Sequence, residues 1–141
     1  MNFDNFLAET AALAGLAGVL AGFSLSAVIE LLAGEVRTKL STAVVVVFAL
    51  ASMMFLFPLI TAVFSLAVGA ELGRVPTELD GWNSLAFLIL LAALNVFLVG
   101  LGMAGWVRST LAGWLTTTFA FIAFLLITSF TLFALVTVGT A

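Results

Sequence analysis

Four stretches of this 141-residue chain are each long and apolar enough to cross a lipid bilayer. Crossing a hydrocarbon core of roughly 30 Å takes about 20 consecutive apolar residues. The runs give expected helices at about 7–32, 40–68, 84–107 and 111–138. No water is present at that depth, so backbone N–H and C=O groups must be satisfied within a helix or a closed barrel. The runs are continuously apolar instead of alternating, which predicts helices and not membrane strands. The expected fold class is an all-α integral membrane protein, one domain over 1–141.

Composition removes most chemistry from such a chain. It is 65% hydrophobic and 8% charged, against about 25% charged in a soluble domain. It has no Cys, His or Tyr, which excludes disulfides, thiolate or imidazole metal sites, His-ligated haem and every Ser–His or Cys–His nucleophile. The only lysine, Lys39, lies in a polar stretch, against an intramembrane Schiff base. An enzyme is not expected, nor a cofactor. The net charge of −3 and the lack of a basic cluster give no nucleic-acid footprint.

The connections are short: Ala33–Lys39, about Gly69–Asn83 with its helix-stopping Val75-Pro76, and Arg108-Ser109-Thr110. Short links favour an up-down-up-down bundle. Asp4 and Glu9 with no basic residue before them do not make a signal peptide, so all four helices are expected in the mature protein. Trp82, Trp106 and Trp114 fall where helices meet the membrane surface, as interfacial anchors do. Pro58 is expected to kink the second helix and free a carbonyl near Met54. Asn95 is expected to hydrogen-bond a neighbouring helix. An even number of spans puts both termini on one side. Arg37, Lys39 and Arg108 against Arg74 lean towards cytoplasmic first and third loops.

The first helix differs from the rest. Ala14, Gly18, Gly22, Ser26 and Glu30 recur at intervals of four and form a small-residue stripe ending in a carboxylate. Small residues at that spacing let membrane helices approach closely, which predicts an innermost first helix. Within the continuously apolar stretches, the first of which runs from Ala11 to Leu32, Glu30 is the only ionisable side chain, and such residues face cavities or partners. The plainer reading is that the helix leaves the bilayer there, since Glu35 and Arg37 follow. If copies of this helix stand around an axis, Glu30 makes a carboxylate ring at a mouth. Ser26 then makes a polar ring below it, and Phe23 with Gly22, then Val19, make apolar rings further in. Acidic rings select cations, and apolar constrictions gate by dewetting. One chain supplies one carboxylate, so this requires a symmetric homo-oligomer.

The segment Gly22-Phe23-Ser24-Leu25-Ser26-Ala27-Val28-Ile29-Glu30 resembles the pore helix of the Orai family of calcium-release-activated calcium channels. That helix has a Gly-Phe pair, an alanine and a terminal glutamate at the same spacing. The four-span layout fits, and Phe57-Pro58-Leu59-Ile60 and Trp106-Val107-Arg108 echo family stretches. The resemblance implies that Glu30 is the selectivity filter and a Ca²⁺ ligand, with Phe23, Gly22 and Val19 as the apolar section. It also implies a hexamer in the plasma membrane with cytoplasmic termini, opposite to the charge count. Ser26 stands where the family has a pore valine, and Gly15 where its first basic pore residue lies. With no C-terminal coiled-coil segment after the fourth helix, activation by an endoplasmic-reticulum calcium sensor is not expected.

The expected function is a homo-oligomeric cation channel whose partners are the bilayer, its own copies and inorganic cations. Two alternatives stand beside it. A proton-coupled exporter of four helices would use Glu30, but needs it near the midplane. An accessory or scaffold subunit would use the stripe only for packing. A rotary-ring subunit fits poorly, because its carboxylate and its glycine stripe belong to different helices.

Overall fold

The computed structural model describes residues 2–34 and 38–139, so Glu35 and Arg37 of the first connection lie outside the described residues. Four long helices carry the chain: α1 Phe3–Ala33, α2 Lys39–Leu72, α3 Asp80–Arg108 and α4 Thr110–Gly139, with a 3₁₀ turn at Thr77–Leu79 before α3. All four are long and apolar enough to span a membrane. The chain is therefore an all-helical membrane protein. The 31 residues of α1 make it about 46 Å long, well beyond the hydrocarbon thickness. Apolar runs mark the part of a helix inside the lipid, while the backbone ladder continues into the headgroup layer. For that reason α1 starts at Phe3 and α2 continues to Leu72, further than the apolar runs alone indicate.

Helix ends follow from local chemistry. The Thr38 hydroxyl accepts from the Ser41 N–H (3.1 Å) while the Ser41 hydroxyl accepts from the Thr38 N–H (3.0 Å), a reciprocal cap that starts α2. Gly73 ends α2 at φ 63°, a left-handed turn that costs glycine little. Beyond it Arg74 donates to Glu78 at 2.6 Å. That hydrogen bond holds the Glu78 carboxyl below the usual carboxylate range. The pair's contribution is present at neutral pH and is lost as pH falls through that lowered value. Ser109 alone joins α3 to α4: its N–H donates to Gly105 O, and its hydroxyl accepts from the Ala112 N–H at 3.1 Å.

Each helix packs on its sequence neighbour, α1 on α2, α2 on α3 and α3 on α4, and no comparable packing joins α1 to α4. An apolar gap of about 580 Å³, lined by Leu13, Leu16, Phe87, Leu94, Leu126 and Phe130, lies between α1, α3 and α4. Within one chain α2 and α3 are therefore the enclosed helices and α1 is at the edge. Ala17 and Ala21 of α1 meet Ala51 and Phe55 of α2 and Leu90 and Ala93 of α3 in one cluster. Phe97 of α3 takes Phe48 and Phe55 edge-on, at centroid distances of 5.6 and 6.3 Å. α2 continues helical through Pro58, whose ring is buried.

The tightest approach is between α3 and α4. A methyl group at Gly105 would overlap the Thr116 hydroxyl and lie 2.5 Å from Ala112 O, and one at Gly113 would lie 2.6 Å from Trp106 Cγ. Thr116 and Thr117 donate to Gly102 O at 3.2 and 3.3 Å, and the Trp106 indole N–H donates to Thr117 Oγ1 at 2.9 Å. Gly105→Ala is expected to destabilise the chain by about 1–3 kcal/mol through overpacking. Gly81→Ala, where a methyl meets nothing within 4 Å, is expected to stay within about 0.5 kcal/mol of the parent. Thermal unfolding in detergent, followed by tryptophan fluorescence, checks both.

Candidate functional site: the outward face of α1

A helix packed on one side exposes the other. The buried residues of α1 include Ala17, Ala21, Ser24 and Val28, all turned towards α2. Ser52 of α2 locks this seam by donating to Ala21 O at 3.3 Å, while the Ser24 hydroxyl returns to Leu20 O at 2.8 Å. Ala21 and Glu30 stand about two and a half turns apart, so Glu30 points away from the seam. Gly15, Val19, Gly22, Phe23, Ser26 and Glu30 are all exposed in the single chain. Val19 is 57% and Phe23 63% accessible, so neither apolar side chain is used by its own chain.

The small-residue stripe divides along its length. Ala14 and Gly18 are half-buried, and a methyl at Gly18 would lie 3.7 Å from Leu59 of α2. Gly22, Ser26 and Glu30 are exposed, and a methyl at Gly22 or Gly15 would meet nothing within 4 Å. Glycine inside a helix costs about 1 kcal/mol relative to alanine. At Gly105 and Gly113 that cost is offset by close packing; at Gly15 and Gly22 the chain itself supplies no offset. The α1–α2 seam uses alanines instead, which the stripe did not indicate.

Glu30 lies in the last turn of α1, its backbone carbonyl accepting from the Gly34 N–H at 3.1 Å. Its carboxylate makes no ion pair among the described residues, where Arg74 and Glu78 form the only one. No group of three His, Cys, Asp or Glu residues able to hold a metal occurs among them either. Among the described residues one chain therefore offers a single carboxylate at this end of the face.

Polar contacts elsewhere differ from expectation. Asn95 does not bridge helices: its amide donates to Leu91 O of its own helix at 2.9 Å, and its Oδ1 is buried without a partner. The asparagine that bonds across helices is Asn83 of α3, whose Oδ1 accepts from the Ser65 hydroxyl of α2 at 2.7 Å. Asn83 precedes the apolar run of α3, so hydropathy hid it as a loop residue. Asn95→Leu removes an unpartnered acceptor and is expected to change stability by less than about 1 kcal/mol. Asn83→Leu, which leaves the Ser65 hydroxyl without its acceptor, is expected to cost about 1–3 kcal/mol. Thermal midpoints of the two variants in one detergent separate these outcomes.

No known protein family matches the chain, and no curated protein or solved structure matches it either.

Proposed function

We propose that copies of this chain assemble around the outward faces of α1 to form a cation channel. The observation that carries this reading is the free face itself. Two glycines with open space over them, two unused apolar side chains, a serine and a lone carboxylate share one side of one helix, opposite its only extensive seam. Assembly would make use of the smallness at Gly15 and Gly22 that a single chain leaves without purpose.

In that assembly Glu30 forms the entrance ring. Its position in the last helical turn suits a mouth better than a midplane site reached alternately from both sides. A ring of carboxylates offers several hard oxygens at once, the ligand set Ca²⁺ prefers, and concentrates cations before they enter. Ser26 then follows as a polar step, and Phe23 and Val19 form an apolar constriction that conducts only when wetted. A hexamer in the plasma membrane with cytoplasmic termini is the arrangement implied by the likeness to the Orai pore helix.

Cation flux into liposomes containing the purified protein tests the reading. Glu30→Gln is expected to reduce the preference for Ca²⁺ over monovalent cations by about tenfold or more, the scale of losing a charge-assisted ligand. Flux and ion preference unchanged in both Glu30→Gln and Glu30→Ala would overturn the filter role. Phe23→Ser, which wets the constriction, is expected to raise basal flux several-fold, and an unchanged or lower flux would remove Phe23 from the barrier.

A further inference from the structure

The end of the molecule where α1 begins and α2 ends carries most of its charge. Asp4, Glu9, Glu71, Glu78 and Asp80 gather there against Arg74 alone, and Arg74 is already paired with Glu78. Among them, Glu9 and Asp80 border a cleft of about 410 Å³ between the start of α1, the second half of α2 and the start of α3. Neither makes an ion pair among the described residues.

The cleft is two-sided in character. Phe6, Pro58, Phe87 and Leu90 supply apolar walls, and Phe6, Pro58 and Leu90 are buried. Thr10 also lines it; only 9% exposed, it has no hydrogen-bond partner among the described residues. The Ser65–Asn83 hydrogen bond fixes α3 against α2 beside this cleft. A pocket of this size suits a drug-sized molecule, with apolar walls for the body and a few polar groups for orientation.

We propose that this cleft binds an organic monocation with an apolar body, such as an aryl or alkyl ammonium or phosphonium. The charge rests between the Glu9 and Asp80 carboxylates, and the body lies on Pro58 and Leu90 and against the rings of Phe6 and Phe87, whose faces attract cations. A bare divalent ion is the poorer occupant. It calls for six to eight oxygens, roughly, and its hydration shell would be stripped against apolar walls. The site is separate from the proposed filter, because Glu30 lies about 31 Å further along α1.

Equilibrium dialysis of the full chain in detergent tests this, with tetraphenylphosphonium as probe and tetraphenylborate as the anion of the same shape. The expected result is saturable binding of the cation alone. Glu9→Gln and Asp80→Asn each weaken it about threefold, and the double variant about tenfold. Both residues are exposed, and unchanged thermal midpoints confirm that the variants fold. Glu71→Gln removes the same charge from the same end outside the cleft, and Glu30→Gln removes the proposed filter; both are expected to bind as the parent does. Unsaturable uptake, equal binding of the borate, an unaffected double variant, or an equal loss in Glu71→Gln or Glu30→Gln would each overturn the proposal. Loss of Ca²⁺ preference in Glu30→Gln with binding of the organic cation intact separates the two functions.

Discussion

Lipid gives helices no hydrophobic reason to associate, so closeness of approach has to hold a bundle together. In this chain the seam between α1 and α2 is built on Ala17, Ala21 and Ala51, with Ser52 bonded across it to Ala21 O. That seam sets the rotation of α1. Once Ala21 is turned inward, a helix of 3.6 residues per turn must present Glu30, Ser26 and Val19 on the other side. The proposed permeation route depends on this rotation, since a different seam on the same helix would hide the carboxylate within the subunit.

The glycines make the same point through energy. Gly105 and Gly113 are needed where α3 and α4 almost touch, and a methyl at Gly100 would press on the Phe48 ring at 3.1 Å. Gly15 and Gly22 have open space above them. A helix that retains glycines its own fold does not require has room there for something else, and a further copy of the same helix would fill it. α1 at the edge of the subunit and α1 at the centre of an assembly are thus compatible, because an edge is the part of a subunit that its copies can reach.

Four apolar runs specified four helices, because length and hydropathy in a bilayer leave few other folds. The grouping of the candidate face was also legible: intervals of four put Gly22, Ser26 and Glu30 on one side of the helix whatever they face. Which side of α1 packs on α2 was not legible, since alanines on one side and glycines on the other are both small. Asn95 and Asn83 show the same limit from the polar side. Hydropathy marked Asn95 as a polar residue within the third apolar run, yet the asparagine that bonds across helices is Asn83, which only the longer observed start of α3 brings into the bundle. The acidic cleft was not legible because Glu9 and Asp80 are far apart in sequence and border one cleft only through the packing of α1, α2 and α3.

Because the chain has no cysteine, disulfide trapping in native membranes reads the rotation of α1 in the assembly without background. Cysteines placed singly at Val19 or Ser26 should oxidise to linked subunits, while cysteines at Leu25 or Leu32, exposed on another side of the helix, should not. Linkage at Leu25 or Leu32 with none at Val19 or Ser26, or no linkage at any of the four, would contradict the account.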